Sequence, residues 1–258
     1  RGVEARMVPN DGGGLTVGLL ERYADRRTRA VSVSSVEFSD GYTADLEAIG
    51  AWCRARGIYL VVDCAQSLGV MPMDVRRYQI DFLAGLASKW LLGPFSTGFL
   101  YVRRELIGRL LPPFVGADSV KGDVDSVAYR LDLKDDASRF EGGLPNAPGI
   151  AGLNASLALM EEVGFDRIHQ QAWQVSGYLI CGLQRLGAQL APCALSDRTR
   201  STIVSFQAPE LERTYRFLRE NRIACSMRCG YIRMGIHGYN TVEEAEQVLA
   251  ALKGFWGR

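Results

Sequence analysis

The chain has 258 residues, of which 47% are hydrophobic and 23% charged, a composition typical of a globular protein with a sizeable core. This composition excludes collagen, coiled coils and disordered chains, and the length predicts one or two domains. The net charge of +1 provides no field to attract nucleic acid or an anionic membrane, and no apolar run approaches the roughly 18 residues of a membrane span.

The first half of the chain predicts strands that alternate with helices. The segment 11–14 predicts a turn, not a phosphate loop, before a helix that starts near Thr16. The helix 45–56 has an apolar face and ends at Gly57. A short strand is predicted at Ala30–Ser34. Continuous apolar runs predict strands buried on both faces at Ile58–Val62, Ile80–Leu86 and Gly98–Val102. The alternation of strands with helices predicts a parallel-rich α/β sheet.

The second half changes character after a long, poorly periodic excursion over residues 111–146. Two helices follow, 148–163 and 165–186, and then a small α+β unit. That unit consists of a strand at 201–206, a helix at 211–220, one or two strands at 223–233, and a helix at 242–252. The pattern predicts two domains, 1–150 and 151–258. Because the chain opens at Arg1 without a methionine, we expect it to be a piece of a longer protein.

The cysteine and histidine content gives no sign of a metal site. The six cysteines show no paired CxxC spacing, and His169 and His237 are the only histidines, too few for a His-rich site. The cysteines are typical of small hydrophobic residues in a reducing cytoplasm, which is the location that we predict. We expect His169 to be structural.

Covalent amine chemistry is confined to four positions, because arginine cannot lose its proton. Of the 30 basic residues, only Lys89, Lys121, Lys134 and Lys253 are lysines. Lys89 has a strongly apolar sequence neighbourhood. Asp63 directly follows a predicted buried strand, and Lys89 follows the next one, so both side chains should leave the same edge of the sheet.

An acid and a lysine at adjacent strand ends suit pyridoxal phosphate. The lysine amine forms a Schiff base with the cofactor aldehyde, and a buried aspartate keeps the pyridine nitrogen protonated. Burial would also favour the neutral amine. The spacing by itself leaves open the alternative of an ordinary buried Asp–Lys salt bridge.

The motifs along the chain resemble those of the class V aminotransferase group of fold-type I pyridoxal-phosphate enzymes. That group includes cysteine desulfurases, kynureninases and isopenicillin N epimerase-like proteins. The resemblance runs in one order from about residue 2 to 252. It rests on VDCAQSLG (62–69), DF (81–82), SKWLLGP (88–94), TGFLYV (97–102), RFEGGLPN (139–146), RCGYIR (228–233) and HGYNT (237–241).

The resemblance implies a role for each matching residue. Lys89 matches the Schiff-base lysine and Asp63 the partner of the pyridine nitrogen. Gln66 matches the residue that binds the cofactor's 3′ oxygen, and Ser88 stands where a phosphate donor would lie. Arg233 matches the arginine that holds the substrate carboxylate, for which its planar fork is suited. His237 would lie near that arginine.

Several positions depart from the family pattern. Leu86 and Leu144 replace hydroxyl residues that often bind phosphate, and the family's phosphate-cradling helix and ring-stacking residue lie before Arg1. Desulfurases carry a nucleophilic cysteine on a mobile loop before the carboxylate-binding arginine. Cys225 and Cys229 lie near that place, but the spacing to Arg233 leaves no room for a long loop. We therefore interpret both as strand residues.

The resemblance implies an incomplete large domain of the fold-type I class, with a parallel-rich sheet, followed by a small C-terminal α+β domain. It implies a pyridoxal-phosphate enzyme that transforms an amino acid through Lys89, by transamination, by elimination with C–S cleavage, or by epimerisation. It also implies a homodimer in which the segment 111–146 reaches the partner's cofactor. We expect no metal, nucleic-acid or membrane partner. The alternative is a catalytically dead relative that acts as a dimeric scaffold.

Overall fold

The computed structural model describes residues 2–10, 14–122 and 131–257. The first sheet has four strands: β1 (Ala30–Ser34), β2 (Tyr59–Asp63), β3 (Phe82–Leu86) and β4 (Gly98–Val102). They lie side by side in chain order. The first three are parallel and β4 is antiparallel to β3. The predicted parallel-rich α/β sheet is therefore confirmed. Three helices accompany it: α1 (Val17–Tyr23), α2 (Leu46–Ala55) and α3 (Arg104–Ile107).

Local sequence signals account for the ends of these helices. The Thr16 hydroxyl accepts a hydrogen bond from the Leu19 amide at the start of α1. Asp45 caps α2 in the same way by accepting from the Ala48 amide. Gly57 follows α2 with a φ of +66°, the left-handed conformation expected of a glycine after a helix. The predicted starts of α1 and α2 are confirmed, whereas residues 11–13 of the predicted turn lie outside the described residues.

The predicted burial of β2, β3 and β4 on both faces is wrong for β4. In β2, Leu60 and Val62 are fully buried, and together with Ile49 of α2 they form the centre of the first core. In β4, by contrast, Leu100 is half exposed. Leu100 lies on the same face of β4 as Val102, which is buried with Leu106 and Ile107 of α3, so this face is covered at the end of the strand and open at Leu100.

The second sheet is antiparallel and small. Its strands are β5 (Gln189–Leu190), β6 (Ile203–Gln207), β7 (Ser226–Arg228) and β8 (Tyr231–Gly235), in the spatial order β5-β6-β8-β7. The accompanying helices are α4 (Ala147–Val163), α5 (Phe165–Arg185), α6 (Leu211–Glu220) and α7 (Val242–Trp256). The predicted α+β unit is confirmed. β5 and α3 were not predicted, because two and four residues carry too little periodicity.

The second core lies between this sheet and its helices. Leu179 and Leu183 of α5 are buried with Phe206 of β6, Ile232 of β8 and Leu252 of α7. Their spacing places one apolar face of α5 against the sheet. None of the described helices has both the length and the apolar composition needed to cross a membrane.

The two sheets are joined by more than the chain connection. Cys193, which follows β5, is buried in the first core. The Thr43 hydroxyl donates to the carbonyl of Arg200, and the Ser201 hydroxyl donates to that of Gly41. The predicted boundary at residue 150 falls within α4 and stays a prediction.

The described parts of the segment 111–146 fold back on each other. The Ser119 hydroxyl donates to the carbonyl of Glu141 over 2.6 Å, and Val120 forms an isolated β-bridge with Leu133. Short 3-10 helices occur at Ala117–Ser119 and Ala137–Phe140. Large apolar side chains along this segment face outward, and Leu144 is 98% exposed.

Candidate active site

The parallel register brings Asp63 and the turn that carries Lys89 to one edge of the first sheet. Asp63 is the last residue of β2 and pairs with Ala84 of β3. β3 ends at Leu86, and Lys89 follows three residues later. The carboxyl ends of neighbouring parallel strands are where ligands bind in open α/β sheets.

Asp63 and Lys89 do not form an ion pair. Asp63 Oδ1 accepts a hydrogen bond from the Ala65 amide over 2.7 Å, which orients the carboxylate. The Lys89 ammonium makes no hydrogen bond or ion pair with any residue that the structure describes. The alternative of a buried Asp–Lys salt bridge is therefore wrong for the described part of the chain.

The expectation that Asp63 and Lys89 are buried is also wrong. Both side chains are exposed, as are two apolar neighbours of Lys89, Leu86 (48%) and Leu92 (45%). Lys89 lies in a tight turn that follows β3. The Leu92 amide donates to the carbonyl of Lys89, and the Gly93 amide donates to that of Ala87. Ala87 and Leu91 of this turn are buried, whereas Lys89 and Leu92 are exposed, so an apolar sequence neighbourhood does not bury the lysine.

Trp90 connects the lysine turn to the segment after β2. Its indole Nε1 donates to Gln66 Oε1 over 3.3 Å. Its backbone carbonyl packs against Gly69, where a Cβ atom would lie 2.3 Å from the oxygen. Gly69 also has a φ of +108°, so a glycine is required there for two reasons. Trp90 is a site residue that sequence reasoning missed, although it stands in the SKWLLGP motif.

Arg233 lies on β8 and reaches the loop after β1. Its Nη1 donates to the backbone carbonyl of Phe38. Its Nε is buried and has no hydrogen-bond partner among the described residues. Burial, and secondly the positive charge of Arg228, lower the pKa of Arg233 from its ordinary value. A guanidinium with an unused buried donor is suited to accept a carboxylate from a ligand.

His237 follows β8 and is 4% exposed. Its Nε2 lies 3.0 Å from the backbone oxygen of Trp90, so the structure brings it next to the lysine turn. Burial lowers the pKa of His237, and the bond to the Trp90 carbonyl partly offsets that effect. The other histidine, His169, has its Nδ1 2.9 Å from the carbonyl of Val70.

Two acids that sequence reasoning missed, Glu37 and Asp40, follow β1, and Glu37 lies close enough to Asp63 for the charge of that carboxylate to act on it. Glu37 follows β1 and is half-buried, whereas Asp40 is buried. Burial raises the pKa of Glu37, and the charges of Asp40 and Asp63 raise it further. The available signal was position, because Glu37 follows a strand at the same edge of the sheet as Asp63.

The group of donors at this edge fits pyridoxal phosphate. Lys89 supplies an unpaired amine, Asp63 an oriented carboxylate and Gln66 an amide. The Ser88 hydroxyl makes no hydrogen bond to another described residue. Leu86 and Leu144, both exposed, supply no phosphate donor. No group of three His, Cys, Asp or Glu side chains within residues 2–10, 14–122 and 131–257 could hold a metal ion.

The prediction that Cys225 and Cys229 are strand residues is wrong in detail. Cys225 precedes β7, and Cys229 is exposed at the tip of a hairpin between β7 and β8, in which Arg228 pairs with Tyr231. Cys229 and Gly230 have φ values of +47° and +82°, which is typical of a two-residue hairpin turn. The tight hairpin confirms that no long loop precedes Arg233. Burial raises the pKa of the Cys64 thiol, which lies next to Asp63, to about 12.

Comparison with known proteins supports the family resemblance. The family model described as aminotransferase class-V matches residues 1–248. A probable cysteine desulfurase of Methanothermobacter thermautotrophicus is 31% identical over an alignment 266 residues long. The alignment covers 95% of this chain and 65% of the relative.

Solved structures agree with this result. The apo cysteine desulfurase of Thermococcus onnurineus NA1 superposes with a TM-score of 0.85 at 28% identity, over 97% of this chain and 65% of that one. A mutant of C-DES with glycine covalently linked to its PLP cofactor superposes with a TM-score of 0.82 at 28% identity, over 91% and 63%. The predicted family and fold class are confirmed, and the chain spans less than two thirds of the length of these relatives.

Proposed function

The chain belongs to the aminotransferase class-V family, and from that premise we propose that it is the part of a pyridoxal-phosphate enzyme that anchors the cofactor and binds an amino acid. The observation that carries the proposal is that Asp63 and Lys89 share one sheet edge without pairing. In a purely structural pair, the two charges would neutralise each other. Here the amine stays available for a ligand.

Each polar residue at this edge has a role that follows from its side-chain chemistry. Lys89 Nζ is the amine that holds the cofactor aldehyde and exchanges protons at the substrate's Cα. When bound, pyridoxal phosphate withdraws electrons from that carbon. Asp63 keeps a proton on the pyridine nitrogen, Gln66 donates to the 3′ oxygen, and Ser88 is available to the phosphate.

Arg233 supplies the substrate contact. Its guanidinium comes from the second sheet, so an amino acid would be held between the two sheets with its carboxylate at Arg233 and its Cα near Lys89. Two-point binding by the guanidinium orients the Cα substituents relative to the amine. An amino-acid substrate follows from this pairing of groups.

The hairpin at Cys229 helps to choose among the reactions that the family resemblance leaves open. A thiol on a two-residue turn cannot travel to an acceptor as a thiol on a long loop can, so we propose transamination, elimination with C–S cleavage, or epimerisation rather than persulfide transfer. The C-DES relative is named as a cystine C–S lyase, which keeps C–S cleavage among these branches.

A second candidate is a scaffold that has lost the reaction. Leu86 and Leu144 favour it, because neither can bind a phosphate oxygen. The unpaired amine of Lys89 argues against a scaffold, because a scaffold function does not require an isolated cation at a sheet edge.

Covalent trapping separates the two candidates. The protein made from the complete reading frame is incubated with pyridoxal phosphate, reduced with borohydride and digested for mass spectrometry. We expect a cofactor adduct on the peptide that contains Lys89, and none in Lys89→Ala. Lys253→Ala, which removes an exposed lysine of α7, is the matched control and should keep the adduct. An unmodified Lys89 in the parent protein would favour the scaffold.

The oligomeric state of the protein is also a proposal. We propose a homodimer in which the segment 111–146 contributes to the partner's site, because its exposed apolar side chains, Leu144 above all, need a covering surface. Nucleic acid and membranes are not proposed as partners. A cytoplasmic location stays a prediction.

A further inference from the structure

Three aromatic rings stack beside the turn that carries Lys89. The ring centroids of Trp90 and His237 lie 5.9 Å apart with an interplanar angle of 15°. The imidazole also stacks with Tyr239, at 4.9 Å and 16°. Trp90 belongs to the first sheet's turn, and the other two follow β8. The stack therefore joins the lysine turn to the second sheet.

A hydrogen bond between His237 and the Trp90 carbonyl accompanies the ring stack. The Trp90 carbonyl can only accept, so the His237 Nε2 that lies 3.0 Å away must carry a proton. Burial lowers the pKa of His237 and so favours the neutral imidazole, whose single proton then lies on Nε2. The bond thus joins an imidazole N–H donor to the carbonyl of Trp90, the residue that directly follows Lys89.

The Trp90 peptide is also held from the other side. Gly69 lies against the same carbonyl oxygen, and Gln66 accepts from the indole. The position of the lysine turn is therefore determined by the segment 66–69, by His237 and by α4, whose Ser156 hydroxyl donates to the carbonyl of Leu91. The indole of Trp90 also packs against the second core. Removal of the histidine bond would release the Trp90 carbonyl from the segment that follows β8.

His237 is itself firmly placed. Its backbone amide donates to Asn240 Oδ1 over 2.9 Å, and Asn240 Nδ2 donates to Glu244 Oε2 over 3.0 Å at the start of α7. Upstream, only three residues separate His237 from Arg233, so one short piece of chain carries both. The group proposed to bind the substrate carboxylate and the group that holds the lysine turn therefore lie on one short segment, which begins in β8 and is hydrogen-bonded to the start of α7 through Asn240.

We propose that His237 is a positioning residue, which holds the Lys89 turn in place through the Trp90 carbonyl and couples it to the strand of Arg233. The catalytic meaning of this inference rests on the proposed function. The positioning itself does not, because it concerns the chain without cofactor.

Hydrogen–deuterium exchange of the Leu92 and Gly93 amides tests the positioning without cofactor. These amides close the turn, so they report on its opening. His237→Phe keeps a flat ring but no donor, and His237→Leu keeps neither. Both should speed the exchange about fivefold, the factor expected for one lost hydrogen bond of about 1 kcal/mol. His237→Gln keeps an N–H donor and should restore most of the protection.

His169→Phe is the matched control, because it removes the other histidine bonded to a backbone carbonyl and should not change these two amides. Unchanged exchange in both donor-free variants would overturn the proposal. So would global unfolding of both, because a positioning residue affects the turn and not the whole chain.

The loaded enzyme provides the second readout. His237→Phe should lower kcat about tenfold while KM for the amino acid stays within about twofold, and His237→Gln should recover most of kcat. A parent protein that forms no adduct at Lys89 would refute the proposed function and leave the exchange result to decide the positioning. An adduct with equal kcat in all variants would refute the coupling to catalysis.

Discussion

Arg233 of β8 donates a hydrogen bond from Nη1 to the backbone carbonyl of Phe38, in the loop that follows β1. The bond spans 195 positions of sequence and brings a guanidinium of the second sheet to the ligand edge of the first. Since Nε of the same side chain is buried without a partner among the described residues, one donor is engaged and another is available.

We predict that Arg233→Lys raises KM for the amino-acid substrate by roughly 10- to 100-fold and changes kcat less. A lysine keeps the charge but loses the planar fork, and one charge-assisted hydrogen bond contributes about 1.5–3 kcal/mol. Steady-state kinetics measure the effect. Arg228→Lys, on the neighbouring strand, is the control, and an equal KM in both variants would refute the assignment.

Asp63→Asn should retain cofactor but react at least about 100-fold more slowly, because an amide does not hold a proton on the pyridine nitrogen. Absorbance of the bound cofactor reports retention, and single-turnover kinetics report the rate. Asp166→Asn replaces an exposed acid of α5 and should behave like the parent. A parental rate in Asp63→Asn would reduce this carboxylate to a structural role.

The thiols at positions 225 and 229 should be dispensable. With both changed to serine, kcat/KM should stay within about twofold of the parent, because the short hairpin cannot carry a persulfide to an acceptor. The assay uses the amino acid on which the parent is most active. Lost turnover with intact cofactor binding would restore the persulfide-transfer mechanism.

The buried imidazole predicts a pH dependence of stability. The pKa of native His237 lies below its ordinary 6.5. Between these two pKa values the unfolded chain therefore binds a proton at His237 that the native state does not bind. Stability contributed by the neutral form is therefore present above pH 6.5 and decreases as the pH falls towards the native pKa. Between about pH 7.5 and about pH 5.5, the Tm of the parent should therefore fall further than that of His237→Gln. Equal falls in both proteins would contradict this linkage.

The dimer proposal is tested by complementation. Lys89→Ala and Leu144→Asp should each be inactive as homodimers, and their co-expression should recover one working site of the two, provided that residues of the loop reach the partner's site. Leu195→Asp changes an exposed leucine elsewhere and is the control. Sedimentation gives the oligomeric state, and a fully active monomer at micromolar concentration would exclude the proposal.

Local signals in the sequence determined most of the fold. β1, β4 and α6 begin and end at the predicted residues, and α2 lies within the predicted helix 45–56, with Asp45 as its cap and Gly57 after its end. Apolar periodicity, helix caps and turn residues act over a few positions, so they can be recognised directly in the sequence. The same holds for the order of Asp63, Lys89 and Arg233, on which the family resemblance rests.

Tertiary structure alone decided how these residues meet. The exposure of Lys89 depends on backbone hydrogen bonds that close its turn, and apolar neighbours in the sequence do not predict them. The contact between His237 and Trp90 joins positions 147 apart, and Glu37 lies beside Asp63 only because β1 and β2 are adjacent. Side-chain hydrogen bonds and burial depend on neighbours in space, and packing of the two sheets brings those neighbours together from distant parts of the chain.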